Sequence, residues 1–132
     1  MPVEYRDIIY RSDARAERHK LFLFGDNELR KGLGGLAGEL RGEPNAHGIR
    51  TKALPSMARD AFWYDEEFDR VSVLIKEDFR KPTRWVSTGR TVVVPRNGIG
   101  VRLALLPENA PRVFEFFQNE LHLLEQISPE NP

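Results

Sequence analysis

Leu21-Phe22-Leu23-Phe24 runs directly into Gly25-Asp26-Asn27-Glu28-Leu29-Arg30-Lys31-Gly32-Leu33-Gly34-Gly35 and on into Leu36-Ala37-Gly38-Glu39-Leu40-Arg41-Gly42. The four apolar residues read as a buried strand, the glycines as a turn, and the segment from Gly35 to Arg41 as a helix. A strand, a glycine-rich turn and a helix in that order can form a phosphate cradle. Gly32, Gly34 and Gly35 have no Cβ, so the backbone can take positive φ and approach a ligand, while the N–H groups opening the helix face an anion. Asp26 and Asn27, at the strand's end, are placed to contact a sugar or a base. The spacing is not the phosphate loop of nucleoside triphosphatases, which needs a Lys-Ser/Thr pair after its last glycine, nor the Gly-x-Gly-x-x-Gly of dinucleotide folds. The same glycines also suit a plain turn packed under a helix.

Size and composition bound what such a turn can serve. The 132 residues, 40% hydrophobic and 30% charged, fit one globular domain with a real core. We expect that domain over residues 1–127, with 128–132 a disordered tail. Twenty basic residues balance twenty acidic ones, so no bulk field draws the chain to nucleic acid or to an anionic membrane. The absence of cysteine excludes disulfides, thiol catalysis and Cys-ligated zinc, and His19, His47 and His122 lack ligand spacing, so neither a metal nor a cofactor is expected. No segment has the pattern of a signal peptide or the roughly 20 apolar residues of a membrane span. A cytoplasmic location is the expectation.

Around the glycine turn the elements alternate. Val3–Tyr10 reads as a strand, Ser12–Ala16 as a turn or short helix, Lys20–Phe24 as a strand, and His47–Lys52 as a short extended piece after the break at Glu43-Pro44-Asn45-Ala46. From Asp65 to Phe79 the residues Phe68, Val71, Leu74, Ile75 and Phe79 recur at helical spacing, with three acids at the end the helix dipole favours. Trp85–Thr88 and Thr91–Val94 read as two extended runs parted by Gly89, and a last helix is expected from Asn109 to Gln126. The fold class is therefore α/β, in a single domain.

A second strand also ends in glycines, at Val94-Pro95-Arg96-Asn97-Gly98-Ile99-Gly100. Two such turns at the C-terminal ends of strands suggest one ligand lying across the sheet edge. Arg96 offers a planar fork to a diphosphate. Asn97, Gly98, Ile99 and Gly100 complete the second half of the site. Phe62-Trp63-Tyr64 reads more readily as a core edge than as a stacking surface, and His47 as a solvated loop residue. Arg80, Lys81, Arg84 and Arg90 have acids nearby and read as solvated surface.

The two loops, with Ile49-Arg50-Thr51-Lys52 between them, resemble the macrodomain superfamily, which binds ADP-ribose, and most closely its terminal ADP-ribose protein glycohydrolase branch. The likeness rests on Asp26-Asn27 before Gly32-x-Gly34-Gly35, then Thr51-Lys52, then Pro95-Arg96-Asn97-Gly98-Ile99-Gly100, spanning roughly residues 20 to 121. The chain is also similar to small uncharacterised bacterial and phage proteins with Phe-Gly-Asp-Asn, Gly-Gly-x-Ala and Gly-Glu-Pro-Asn-Ala motifs. The resemblance implies a macrodomain-like fold, three layers with a mixed sheet flanked by helices, whose ligand is ADP-ribose or a related NAD-derived nucleotide, free or carried by an ADP-ribosylated macromolecule. Nucleic acid is expected only as such a substrate.

In that branch a lysine attacks the ribose carbon and an aspartate assists as acid or base. Lys52 matches the lysine, whereas the aspartate's place falls at or beside Arg102, which cannot act as a base because it stays protonated. Asp26 is the substitute, as a carboxylate whose pKa shielding from water would raise. The expected catalytic pair is then Lys52 and Asp26, in an ADP-ribosyl glycohydrolase-type hydrolase. The alternatives are a non-catalytic sponge or reader, or an interaction module with no small-molecule ligand.

Overall fold

A computed structural model describes residues 2–128. Four strands, β1 (Val3–Arg6), β2 (Leu21–Asn27), β3 (Ala46–Lys52) and β4 (Val92–Pro95), form one sheet in the order β1-β4-β2-β3. All of their pairings are parallel. The sheet is thus parallel where a mixed one was expected. Each connection between consecutive strands contains a helix and none is a tight hairpin, which is the condition a parallel pair requires.

The helices are α1 (Arg11–Ala16), α2 (Ala37–Leu40), α3 (Phe68–Asp78), α4 (Arg80–Ser87), α5 (Leu106–Asn109) and α6 (Pro111–Glu125). They cover both sheet faces, and β2 shows why its apolar run is unbroken. Leu21 and Leu23 point to one face, into a core with Val71, Ile75, Phe117, Leu121 and Leu124 from α3 and α6. Phe22 and Phe24 point to the other, against Ala14, Ala37 and Leu40 from α1 and α2. β4 divides likewise, Val92 and Val94 to the first core and Val93 to the second. The domain is α/β with three layers, as its sequence led us to expect. The expected tail, 128–132, lies outside the described residues apart from its first.

Several element readings change: the strand expected over Lys20–Phe24 runs from Leu21 to Asn27, and the helix expected over Gly35–Arg41 shortens to Ala37–Leu40. The strand expected over Val3–Tyr10 stops at Arg6. Trp85–Thr88, expected to be extended, lies largely within α4. Pro82 sits in the first turn of that helix, where its missing N–H costs nothing, and α4 buries Pro82 and Val86 on one side. Packing there overrides the β propensity of Trp and Val. The last helix divides at Ala110, whose φ of −146° and ψ of 68° leave the helical region just before Pro111. Ala110 has no side chain to cap α6, and Asp65 does so from across the fold, accepting the N–H groups of Arg112 and Val113 at 3.0 and 3.2 Å.

Candidate functional site

β2 and β4 are neighbours whose C-terminal ends lead in opposite directions. The chain leaves β2 for α2 on one face and leaves β4 for α5 and α6 on the other. Diverging connections open a crevice at the carboxyl ends of a parallel sheet, which is where open α/β folds bind ligands. A cleft of about 650 Å³ lies there, within the roughly 300–1,000 Å³ of ligand sites.

Both glycine loops reach it. Gly32, Gly34 and Gly35 line one wall, Asn97, Gly98, Ile99 and Gly100 the other, with Asp26, Asn27, Thr51 and Lys52 between them. Gly32, Gly35, Gly98 and Gly100 all have positive φ, a conformation that side chains other than glycine's rarely adopt. The glycines also make room for neighbours. A Cβ at Gly32 would lie 2.9 Å from Pro55, and one at Gly34 or Gly35 would lie 3.2 or 3.3 Å from the Leu103 side chain. The segment after the second loop therefore packs close to the first through Leu103. The helix expected to aim its N–H groups at an anion, α2, is one turn long and has little macrodipole.

Asp26 is buried and ionised, not raised in pKa as expected. Burial pushes its pKa up, but hydrogen bonds from Arg41, the Asn27 amide and Arg30 push it further down. Arg41 Nη2 donates to Oδ1 at 2.6 Å, the Asn27 N–H to the same oxygen at 2.9 Å, and Arg30 Nη1 to Oδ2 at 3.1 Å. A carboxylate with these partners is a poor proton donor. Arg30 holds its place with a left-handed φ of 56° and also bonds the buried Asp78 at 2.8 Å. Asp78 in turn accepts the backbone and side-chain N–H groups of Arg50, and its carbonyl bonds His47. His47 is therefore packed on β3, with its pKa pushed down chiefly by burial, and is not a solvated loop residue.

Asn27 shapes its own loop, accepting the Leu29 N–H at 3.0 Å and donating to the Lys31 carbonyl at 2.7 Å. Lys52 is buried at the cleft floor. Its Nζ donates to the carbonyls of Ser56 at 2.7 Å and Leu103 at 3.2 Å and lies 4.7 Å above the Phe62 ring. Burial lowers its pKa, and no described carboxylate lies within ion-pair distance. Arg96 does not itself line the cleft but pairs with Asp7, which does, at 2.8 Å. Trp63 is wholly buried, its indole N–H donating to Glu28, so the aromatic cluster seals the core.

Arg41, Arg102 and Leu103 are cleft residues that the sequence did not mark as ligands. With Asp26 neutralised by Arg41 and Arg30, and Asp7 by Arg96, the ionisable side chains left around the cleft are Lys31, Lys52 and Arg102 against Glu39. The excess is positive. That excess of cationic side chains suits an anionic ligand.

Residues 4–120 match a family described as a family of unknown function (DUF7831). The chain belongs to that family. The DUF7831 match takes in both glycine loops, Lys52 and the helices that cover the sheet. No curated protein and no solved structure matches the chain. For this DUF7831 domain, no described helix is long and apolar enough to cross a membrane, and no three described His, Asp or Glu side chains gather to hold a metal ion.

Proposed function

We propose that the cleft binds ADP-ribose or a related NAD-derived nucleotide, with the diphosphate lying between the loop of residues 32–35 and the loop of residues 97–100. One observation carries this reading: two positive-φ glycine loops from adjacent parallel strands face one cleft whose unpaired charge is mainly cationic. The motif order shared with macrodomains supports the choice of ligand. Calorimetry against ADP-ribose, NAD and AMP tests it. Gly35→Val puts a branched side chain where φ is +58° and space is shared with Leu103, so affinity for ADP-ribose should fall at least tenfold, about 1.4 kcal/mol. A variant that melts like the wild type and binds ADP-ribose with unchanged affinity removes the loop from the site.

We expect binding without efficient hydrolysis. Asp26 is held ionised by two guanidiniums, and Arg102 stands at or beside the position of the glycohydrolase acid, so neither position supplies a proton donor. General acid–base help is worth about 100- to 10,000-fold, and its loss leaves a reader or sponge. One feature favours the hydrolase instead: Lys52, unpaired with acid and lowered in pKa by burial, has the character of an amine nucleophile. Incubation with an ADP-ribosylated peptide and borohydride, followed by mass spectrometry, separates the two. Lys52 should remain unmodified; a trapped adduct on it establishes the hydrolase.

A further inference from the structure

Between Asp78 and Glu108 the chain carries Arg80, Lys81, Arg84, Arg90, Arg96 and Arg102 and no acidic residue, although its overall charge is zero. Arg96 is paired with Asp7, and Arg102 belongs to the cleft. The other four cluster on α4 and the turn that leaves it.

Their surroundings differ from those of the cations clustered on β1 and around α1. Arg6, Arg11, Arg15, Arg18 and Lys20 each have a carboxylate within 4.0 Å. Arg80, Lys81, Arg84 and Arg90 have none among the described residues. The acids that lie nearby in sequence are committed elsewhere, Asp78 to Arg30 and Arg50, Glu77 to Arg50. On α6, which packs against α4, Glu125 accepts the Tyr5 hydroxyl and Glu120 faces Lys76 at 4.0 Å.

The helix also carries its charge in an unfavourable place. Arg80 and Lys81 occupy its first turn, at the positive end of the dipole, with no acidic residue there. Arg80 and Arg84 are like charges one turn apart. Each arrangement costs a helix a few tenths of a kcal/mol or more, and a local rule broken without local compensation points to function. Arg90 is pre-set in addition. Its guanidinium lies 3.6 Å over the Trp85 ring, and its Nε donates to Thr88 Oγ1 at 3.0 Å, which leaves the outer edge of the fork to a ligand.

We infer that α4 and its exit turn form a docking surface for a nucleic-acid backbone. A linear polyanion suits four unpaired cations, three within about 6 Å of helix axis and the fourth on the exit turn, because each strand of a duplex offers a charge about every 3.4 Å of axis. A membrane fits poorly. An interfacial helix needs an apolar face to insert, whereas Pro82 and Val86 of α4 are buried, and no large apolar residue from 79 to 102 is more than about a third exposed. The inference is independent of the ligand in the cleft.

The test is fluorescence anisotropy with a fluorescein-labelled 20-base-pair duplex from 50 to 200 mM salt. Binding in the micromolar range at 50 mM is expected, with log K falling against log salt at a slope of about −3.6 for four neutralised phosphates. Arg80→Ser/Arg84→Ser removes two exposed side chains that make no described hydrogen bond or ion pair, so the melting temperature should hold. The salt slope should flatten by about 2 and affinity at 50 mM should drop about tenfold or more. Absence of binding at 50 mM overturns the inference, as does a slope that survives the double substitution. So does loss of binding on Lys31→Ser/Arg102→Ser instead, which assigns the polyanion to the cleft. Equal binding of the wild type to phosphatidylserine vesicles overturns the choice of nucleic acid.

Discussion

Asp26→Asn is expected to destabilise the domain by about 3 kcal/mol at pH 7, even though the side chain keeps its shape. The Asp26 carboxylate is almost wholly buried and meets Arg41 at 2.6 Å and Arg30 at 3.1 Å. An amide in its place leaves both guanidiniums facing a neutral group and turns an N–H donor toward one of them. Removing one member of a buried ion pair typically costs about 3–5 kcal/mol, and the partial exposure of Arg30 and Arg41 places this case at the low end. The pH dependence supplies a second check. Asp26 has a pKa below its ordinary value in the folded chain, so its contribution is present above the ordinary aspartate range near pH 4 and is lost as pH falls through the folded value. Urea denaturation at pH 7 and again near pH 3 should show the gap between wild type and variant narrowing in acid. A gap of the same size at both pH values means that Asp26 acts through packing and not through charge.

That carboxylate also marks where reading the sequence reached its limit. Its position at the end of β2, beside a glycine loop, followed from four apolar residues and the glycines after them. Its ionisation did not, because it depends on Arg41, brought back by a one-turn helix, and on Arg30, held at a φ of 56°. Neither contact has a spacing signature. Burial alone would have raised the pKa, and counter-charges from two other segments decided the sign. Lys52 carries a similar lesson. Its depressed pKa and lack of a carboxylate partner follow from burial under residues 56 and 103, and the Leu103 contact bridges 51 positions of sequence.

The fold was more legible because its signals are local. β2 and β4 stand out since both of their faces are covered, so no polar alternation interrupts them. The stripe of Phe68, Val71, Leu74, Ile75 and Phe79 is a helical period that the structure keeps, although α3 itself spans only Phe68–Asp78, with Asp65–Glu67 forming a 3-10 turn before it. α4 was misread because Trp85, Val86 and Thr88 favour strand while the period that overrides them spans only two turns. The parallel sheet follows from a helix between every pair of consecutive strands, whereas the mixed sheet had been expected from the macrodomain resemblance. The meeting of the two glycine loops was likewise implied by that order, since turns at the same end of neighbouring parallel strands share an edge.

Gly100→Ala should cost about 3 kcal/mol and reduce ADP-ribose affinity at least tenfold, and Gly42→Ala provides its control. Both glycines are left-handed, Gly100 at φ 85° and Gly42 at φ 97°, so both alanines incur the backbone penalty of about 1–2 kcal/mol. They differ in what the new methyl meets. At Gly42 nothing lies within 4 Å, whereas at Gly100 the Cβ falls 2.8 Å from Leu106 and 3.3 Å from Thr51. Leu106 is fully buried and cannot swing into solvent, and overpacking of this kind adds about 1–3 kcal/mol. Gly100 also accepts the Leu106 N–H at 2.9 Å, so any adjustment moves the segment that carries Arg102 and Leu103 along the cleft. Gly42 does not line the cleft, and its variant should bind as the wild type does. Urea denaturation of the two variants, with calorimetry at a temperature where both are folded, separates backbone strain from crowding. Equal destabilisation with equal affinity means that the loop relaxes freely around the added methyl and its geometry does not shape the site.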